Sequence, residues 1–354
     1  MAPLSLRSRP ISTRCTTTQA NFVTLSVSVA LCTRNGERFV EAQLLSILDQ
    51  TVLPAQIVVS DDASTDRTMG IVKSVVAEWR ASHTEEALEL IELHNEQPLG
   101  VTKNFEQAVL RTDGELIALS DQDDVWLPTR LERMVAEFDR RPDLLLLHSD
   151  AYLVDENGIR ASETLLNALE VSQEMLTAIH QGSALTVLMR RNVVTGATTM
   201  FRRSLLDVAV PFADGWVHDE WLALTAATVG QMDILEYPLV EYRQHGANEI
   251  GAARLSFAGK ARKVLGPGSE RNERLLTRAE SLAARIDSLS ESQSLRDMVA
   301  EKLAHEVMRG ALGYRRLSRV VPIVQELRTG RYGRFGRGPV DAVRDLVQPL
   351  RLHD

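Results

Sequence analysis

Apolar residues along the chain alternate between two spacings. Residues 25–31 and 56–60 are short apolar runs rich in β-branched residues, which is typical of buried strands. The segment between them, GERFVEAQLLSILDQ, repeats its apolar residues at the spacing of one helical face and stops before Pro54. Strand, helix and strand within about 35 residues predict a βαβ unit with parallel strands and a right-handed crossover.

The same alternation continues to residue 120. We predict a second helix that ends near Trp79, a third strand in ALELIELHN, a helix in GVTKNFEQAVL and a fourth strand in ELIALS. This order favours an α/β fold with a doubly wound, mostly parallel sheet that binds ligands at the carboxyl ends of its strands. A polar cluster follows each of the four strands: Thr33 to Asn35, Asp61-Asp62, His94-Asn95 and Asp121 to Asp124. We therefore expect these clusters to line one crevice.

The pattern beyond Pro128 is less regular. It predicts a helix, a strand in DLLLLHSDAYLV, further helices within 157–190, and a strand in NVVTGATTMF. The last hundred residues have helical spacing, interrupted by Gly-rich segments at 266–268 and 330–338. We therefore expect a helical extension after the sheet.

The stretch SDQDDVW, at the end of the fourth strand, places three carboxylates within four positions. Like charges this close make at least one of them hard to ionise unless a cation is near. The first strand is not followed by G-x-G-x-x-G, and G-x-x-x-x-G-K-[ST] does not occur, so the sequence offers neither glycine-rich phosphate loop. Carboxylate oxygens suit Mg²⁺ or Mn²⁺. We expect such an ion to bind any phosphate in the crevice.

Composition narrows the class of protein. A chain of 354 residues with 44% hydrophobic content can bury a sizeable core. Its two cysteines, Cys15 and Cys32, cannot form a disulfide framework, and Cys32 falls in an apolar strand, which indicates a reducing compartment such as the cytoplasm. No apolar run reaches the roughly 18 residues of a spanning helix. Residues 1–21 are rich in Ser, Thr and Arg, and a disordered tail is preferred to a transit peptide.

The net charge of −8 conceals an asymmetry along the chain. Residues 251–354 contain 20 Lys and Arg against 12 Asp and Glu, whereas residues 1–250 contain 20 against 36. Eight arginines lie between Arg309 and Arg337 with one acid, Glu326. This segment is either a solvated helical face or a surface that contacts anionic lipid headgroups. The acidic remainder of the chain argues against a nucleic-acid partner.

Several motifs together resemble a known family. SVALCTRNGERFVEAQLLSILDQT, IVVSDDASTDRT, HNEQPLGVTKNFEQAV and LSDQDDVW are similar to the N-terminal half of inverting family 2 glycosyltransferases of the GT-A fold. NVVTGATTMF, HDEWLALTAATVG and YRQHGAN resemble a rhamnosyltransferase-like subgroup that acts in surface polysaccharide synthesis. The resemblance covers roughly residues 24–250 in colinear order. It implies a GT-A domain at 22–250, followed by the basic helical extension at 251–354.

The resemblance assigns donor-binding roles to the strand ends. It implies that the nucleoside diphosphate sugar is bound by residues of the first loop, the second strand end, the third helix and the acidic cluster: Thr33, Arg34, Asn35, Glu37, Asp62, Lys103 and Asp121. Asp62 matches a position that accepts a hydrogen bond from a pyrimidine base, whereas Asp61 could equally cap a helix. Many relatives have an aromatic residue at the place of Arg34, so a flat guanidinium would stack there instead. Lys103 matches a diphosphate contact, or is a solvated helix residue.

The resemblance also assigns the metal ligands. The family's D-x-D motif falls on Asp121-Gln122-Asp123, which implies Asp121 and Asp123 as ligands of Mn²⁺ or Mg²⁺, with Asp121 supporting the ion or the ribose. His245 matches a histidine that completes the coordination, although a single histidine can also be structural. Asp124, the third carboxylate of the cluster, could instead be the N-cap of the following helix.

Transfer to a hydroxyl needs a general base on the side opposite the leaving group. The family's base matches Asp219 in VHDEWLAL, and the structural alternative for Asp219 is a helix N-cap. Glu220 stands where many relatives have an aromatic residue, so it competes with Asp219 for this role.

These expectations favour one function over three alternatives. We expect a metal-dependent inverting transferase that moves a sugar, first of all rhamnose from dTDP-rhamnose, to a hydroxyl of a growing glycan or lipid-linked glycan at the cytoplasmic face of a membrane. A UDP-hexose donor is the alternative within the same fold. A catalytically dead glycan- or nucleotide-binding module is the alternative outside enzymes. A nucleotidyltransferase is disfavoured because CTRNGER is not a glycine-rich phosphate loop.

Overall fold

The computed structural model describes residues 25–84, 87–244 and 268–349. The predicted tail at 1–21, His245 and most of the predicted interruption at 266–268 lie outside these ranges. The described part is a mixed α/β structure, as the hydrophobic pattern predicts.

Nine strands of the described ranges form one sheet in the order β3-β2-β1-β4-β8-β6-β9-β5, with β7 paired to β6 beside this path. The strands are β1 (Val27–Thr33), β2 (Gln56–Asp61), β3 (Glu89–His94), β4 (Leu116–Asp121), β5 (Val125–Trp126), β6 (Leu144–Val154), β7 (Arg160–Thr164), β8 (Thr199–Arg202) and β9 (Gln231–Arg243). Strands β1 to β4 are parallel, joined by helical crossovers, which confirms the doubly wound arrangement predicted for this half.

The helices of the sheet region are α1 (Val40–Leu48), α2 (Thr68–Ser82), α3 (Val101–Leu110), α4 (Arg130–Arg140), α5 (Leu165–Ala168), α6 (Gln173–His180), α7 (Ala184–Leu188), α8 (Leu206–Ala209) and α9 (His218–Val229). Those of the C-terminal part are α10 (Gly268–Leu289), α11 (Gln293–Gly310), α12 (Arg316–Arg328), α13 (Arg331–Phe335) and α14 (Pro339–Val347). Within 157–190 the helical prediction is partly wrong, because 160–164 pairs with β6 as a strand.

The sheet separates two apolar layers. Side chains of β1, β2 and β4 that alternate along each strand pack on α1, α2 and α4 on one face, and on α3 and α9 on the other. Because side chains alternate with period two, a strand buried on both faces is apolar throughout, which explains the uninterrupted runs in the sequence.

Strand register aligns the polar strand ends. Thr33 lies beside Asp61, Asp61 beside His94, and Cys32 beside Asp121. The four predicted polar clusters therefore meet at one edge of the parallel half. Strand β9 reaches the same edge from the other half, since β5 pairs with Val240 and Glu241 directly after the acidic cluster.

The C-terminal helices pack on the sheet region through α10, which contacts α9 and the segment before it. Arg285 of α10 donates hydrogen bonds to the carbonyl oxygens of Val208 and Pro211 at 2.9 and 3.0 Å. The Gly-rich segment 330–338 is not a simple interruption, since it contains the short helix α13. Within the described ranges, every helix is too short or too polar to cross a membrane.

Candidate active site

The loop after β1 is joined to the acidic cluster by Gln122. Gln122 Oε1 accepts a hydrogen bond from the backbone N–H of Arg34 at 2.8 Å, and its Nε2 donates to the Arg34 carbonyl at 3.0 Å. Gly36 permits this approach, because a Cβ at this position would lie 2.1 Å from Gln122 Oε1. Arg34 itself is exposed. Two loops whose bonded residues are 88 positions apart in the sequence are thus joined to each other.

The other residues of the first loop pair with the loop after β2. Asn35, which has a positive φ of 48°, accepts a hydrogen bond at Oδ1 from the Thr65 backbone N–H at 2.9 Å. Glu37 accepts from the backbone and the side chain of Arg67 at 3.2 Å. These contacts fix the shape of the loop that is predicted to bind the donor.

Asp61 and Asp62 have different local partners. Asp61 accepts a hydrogen bond from the Thr33 hydroxyl at 2.7 Å and from Ser64, so it joins β1 to the loop after β2. Asp62 accepts from the backbone N–H groups of Leu99 and Gly100 at 2.7 and 3.0 Å, and from the Asn95 side chain at 3.0 Å. A carboxylate has about four acceptor positions, so roughly one position of Asp62 remains for a ligand.

Lys103, the predicted diphosphate contact, lies in the first turn of α3. Its ammonium group forms an ion pair with Glu106 at 2.6 Å, and Glu106 also accepts a hydrogen bond from the Phe212 backbone N–H at 2.7 Å. The Lys103 side chain is about half exposed, so it remains accessible to an anion while paired.

Asp121 is the last residue of β4, and its carboxylate interacts with Asp123 and with the buried Arg130. Burial raises the pKa of Asp121 well above its usual range, the charges of Asp123 and Asp219 raise it further, and the Arg130 guanidinium opposes them. The Arg130 side chain is fully buried, lies 3.7 Å above the centre of the Trp126 ring, and donates two weak hydrogen bonds to carbonyl oxygens at 3.4 Å. Arg130 is therefore a fixed positive charge beneath the acidic cluster.

Asp124 does not cap the following helix, so that alternative is wrong. Its Oδ1 accepts a hydrogen bond from the backbone N–H of Arg243 at 2.9 Å, whereas α4 is preceded by Thr129. Arg243, the last residue of β9, also donates from Nε to the Asp123 carbonyl at 2.8 Å, and its side chain reaches the carbonyl oxygens of Asp155 and Glu156. Arg243 thus fixes the acidic turn from the opposite half of the sheet.

Asp219 lies at the start of α9, with both carboxylate oxygens positioned by backbone groups. Its Oδ2 accepts from the Gly196 N–H at 2.8 Å and its Oδ1 from the Glu220 N–H at 2.7 Å. Burial raises the pKa of Asp219 to about 6, although these hydrogen bonds and the charge of Arg278 oppose the shift. Asp219 is not the N-cap of α9, which is Val217, so that alternative is also wrong.

Glu220 points away from Asp219 toward the C-terminal helices. Its carboxylate forms an ion pair with Arg278 of α10 at 2.5 Å, and Arg278 also donates to the Gly215 carbonyl at 2.8 Å. Burial raises the pKa of Glu220, and the Arg278 charge lowers it. Trp216 Nε1 donates back to the Arg278 carbonyl at 3.2 Å. A residue of the extension therefore contributes to the wall beside the candidate base.

The acidic residues supply some, but not all, of the ligands that a divalent ion needs. The Asp121 carboxylate accepts no hydrogen bond from the described residues, and it is repelled by Asp123 and Asp219, which is the arrangement a cation relieves. Within the described ranges, no three His, Cys, Asp or Glu side chains gather closely enough to hold a metal by themselves. Mg²⁺ commonly takes one or two carboxylates and completes its shell with phosphate oxygens and water. Asp121 and Asp123 would supply these two carboxylates.

Sequence reasoning missed three arginines and one glutamine. Arg130 falls in a helix with charged neighbours and has the pattern of an exposed residue, while Arg243 and Arg278 act across more than about 50 positions, which no local pattern records. Gln122 carries a signal in hindsight, as the variable position inside D-x-D. These four residues hold the predicted site residues in place.

Comparison with known proteins gives the family. The family model described as Glycosyl transferase family 2 matches residues 28–208. An uncharacterised protein of Mycobacterium tuberculosis is 24% identical over 221 residues, 62% of this chain and 59% of that protein. The dTDP-rhamnosyl transferase RfbG of Shigella flexneri is 25% identical over 244 residues, 66% of this chain and 78% of that one. The chain thus spans less than two thirds of the mycobacterial relative.

Solved structures give the fold. The crystal structure of S. aureus TarS 1–349 in complex with UDP-GlcNAc aligns with 80% of this chain and 72% of its own, with a TM-score of 0.55 and 18% identity. The likeness at this identity concerns the fold, and it agrees with the GT-A arrangement expected from the resemblance. Since the family model covers half of the 354 residues, including β1, β4 and the acidic cluster, the chain belongs to glycosyl transferase family 2 and has a GT-A fold.

Proposed function

We propose that this chain is an inverting glycosyltransferase that moves a sugar from a nucleoside diphosphate to a hydroxyl of a growing surface glycan. The observation that carries the proposal is the position of Asp219. It is a partly buried carboxylate with two backbone donors, a pKa near 6, and an electrostatic effect on Asp121 across the crevice. A carboxylate with that pKa is ionised at neutral pH and remains basic enough to accept a proton.

The reaction would use the two sides of the crevice differently. The loop of Thr33 to Glu37, together with Asp62 and Lys103, would bind the donor, while Asp219 would take the proton from the acceptor hydroxyl as it attacks the anomeric carbon. Two acceptor positions of the Asp219 carboxylate remain beyond its backbone hydrogen bonds. Attack on the face opposite the diphosphate inverts the anomeric centre in one displacement.

Mn²⁺ or Mg²⁺ would be held by Asp121 and Asp123, with His245 as the further ligand predicted from the sequence. When bound, the ion would stabilise the negative charge of the departing diphosphate as a Lewis acid. The positive charge of Arg130 would offset part of the repulsion between the carboxylates before the ion and donor arrive. The resemblance to glycosyltransferases with a D-x-D motif supports this assignment.

The donor we propose first is dTDP-rhamnose. The similarity to a dTDP-rhamnosyl transferase over 66% of the chain supports it, while the fold shared with a UDP-GlcNAc-bound TarS keeps a UDP-hexose as the alternative. We propose residues 22–250 as the transferase domain and residues 251–354 as an extension that contributes Arg278. The acceptor would be a glycan or lipid-linked glycan at the cytoplasmic face of the plasma membrane.

Donor hydrolysis tests this proposal. The purified chain is incubated with dTDP-, UDP- and GDP-sugars and Mn²⁺ or Mg²⁺, beside an Asp123→Ala variant and an Asp139→Ala control, which removes an exposed carboxylate of α4. We expect metal-dependent cleavage of one donor that is abolished by Asp123→Ala and retained by Asp139→Ala. If no donor is cleaved and calorimetry detects no donor binding, the transferase proposal gives way to a dead binding module.

A further inference from the structure

Helices α12 and α14 expose apolar side chains where helices of a water-soluble surface normally carry polar ones. We name this surface the C-terminal apolar face and define it by Leu317, Val321 and Val324 of α12 and Val340, Val343 and Val347 of α14. Their exposed fractions are 88, 62 and 40%, and 64, 59 and 40%, respectively. The two helices pack against each other. Exposed apolar patches of this kind mark a contact with a membrane or a partner.

The spacing shows that each stripe is one helical face. Positions 317, 321 and 324 and positions 340, 343 and 347 recur at three- and four-residue intervals, which places each set on one side of its helix. The opposite side of each helix is occupied: Ile323 and Ala342 are buried with Leu312 and Tyr332 in a small separate core. The exposed stripes are therefore additional to the side that stabilises the fold.

Acidic side chains are turned away from this face. Residues 311–349 contain three acids, Glu326, Asp341 and Asp345, and all are buried, with exposed fractions of 5, 4 and 4%. Asp345 pairs with Arg309 at 2.7 Å. Asp341 pairs with Arg271 at 3.2 Å, and Glu326 accepts from His305 at 2.8 Å. The three acidic side chains of the segment are therefore buried inside the helical bundle, where each has a basic partner.

Arginines flank the same face from outside. Arg315 and Arg316, at the start of α12, and Arg328, at its end, are exposed and pair with none of the described carboxylates. The membrane contact predicted from eight arginines needs one correction, because Arg309 and Arg319 are buried at 1% and cannot face a lipid surface. The remaining exposed charge next to the apolar stripes is positive.

We propose that the C-terminal apolar face binds an anionic lipid surface, with α12 and α14 lying in the plane of the headgroups. Apolar residues outward with arginines at the rim form the arrangement of an interfacial amphipathic surface. A second copy of this chain fits less well, since a symmetric contact would place the arginines of one copy against those of the other. This inference goes beyond the proposed function, because lipid binding requires neither donor nor acceptor.

Vesicle co-sedimentation tests the proposal on the full chain. The wild type, Leu317→Glu/Val321→Glu, Arg315→Gln/Arg316→Gln/Arg328→Gln and the control Ile159→Glu are mixed with phosphatidylcholine vesicles, with or without phosphatidylglycerol. Ile159 is 66% exposed and lies in the turn before β7. All changes are at exposed positions, and circular dichroism verifies that each variant is folded.

We expect the wild type and Ile159→Glu to bind the phosphatidylglycerol vesicles and not phosphatidylcholine alone. Loss of three arginines should weaken binding about a hundredfold, and the double glutamate variant should weaken it at least as much. Absence of wild-type binding, or equal binding by all variants, overturns the proposal. It is also overturned if sedimentation velocity shows a wild-type dimer that Leu317→Glu/Val321→Glu dissociates, because the face is then an interface between copies.

Discussion

Asp219 and Gly196 are joined by a hydrogen bond from the Gly196 N–H to Asp219 Oδ2 at 2.8 Å. Gly196 lies in the turn before β8, and Asp219 in the first turn of α9, so the bond fixes the candidate base relative to the sheet. A side chain at position 196 would lie 2.8 Å from His218 Nε2 and 3.6 Å from the Asp219 carboxylate. The absence of a side chain at Gly196 thus permits the contact that positions the candidate base.

Replacing the base should separate catalysis from binding. We expect Asp219→Asn to lower the rate of transfer by about 10²- to 10⁴-fold, because the amide keeps the shape of the side chain but cannot accept the proton. Donor affinity should be unchanged, since the residues proposed to bind the donor lie in other loops. Steady-state kinetics and calorimetry measure the two effects.

Glu220→Gln is the matched control for that variant. Its carboxylate is held by Arg278 and should not act as the base, so most activity should be retained. If Glu220→Gln abolishes transfer while Asp219→Asn keeps it, the two residues have been assigned in the wrong order.

The pKa of Asp219 predicts a dependence of activity on pH. The folded-state value is raised to about 6, so the carboxylate is ionised above this pH and protonated below it. A protonated Asp219 cannot act as a base, and kcat/KM for the acceptor should fall about tenfold for each pH unit below 6. A profile that stays level through this region would contradict the assignment of Asp219.

Arg278→Gln should shift the pH at which activity falls to a higher value. The guanidinium lowers the pKa of Asp219 and of Glu220, so its removal should raise both values and require a higher pH for full activity. Arg274→Gln is the matched control, because Arg274 is exposed on the same helix and acts weakly on Glu220. Equal shifts in both variants would indicate a general effect of helix charge.

The buried Arg130 should dominate the stability of the acidic crevice. We expect Arg130→Gln to reduce the free energy of unfolding by about 3 to 5 kcal/mol, since removal of one member leaves buried carboxylates uncompensated. The double variant Arg130→Gln/Asp124→Asn should recover part of the loss, because Asp124 no longer needs a counterion. Urea unfolding measures both changes. Arg133→Gln, an exposed residue of the same helix, should change the stability by less than about 0.5 kcal/mol.

The sequence predicted strands β1 to β4 and the edge of the sheet at which their polar residues meet. Apolar runs separated by helical segments identify strands β1 to β4 because strands buried on both faces must be apolar throughout. Parallel strands then bring their carboxyl ends together, so Asp61 and Asp121 could be placed at one edge before their register was known. Strand β7 was missed because 160–164 is polar except for Ala161, so it has no apolar alternation, and it lies next to helix-prone segments.

The contacts that position the site were less accessible to sequence reasoning. Arg243 reaches Asp124 from β9, and Arg278 reaches Glu220 from α10, and such pairs depend on how distant elements pack. The interpretation of Asp124 and Asp219 as possible caps came from a local rule that tertiary hydrogen bonds override. Family resemblance supplied roles for individual residues but not the arginines that hold them.

The pair Gly36 and Gln122 has a consequence for how such enzymes change. A methyl group at position 36 and a long amide at position 122 cannot coexist without rearrangement, because they would be 2.1 Å apart. A chimera that borrows a first loop with a larger residue at position 36 therefore displaces the Gln122 side chain and its two hydrogen bonds to Arg34. Because the first loop is proposed to bind the donor, we expect that exchanging the first loop and residue 122 together changes donor preference more readily than substituting either one.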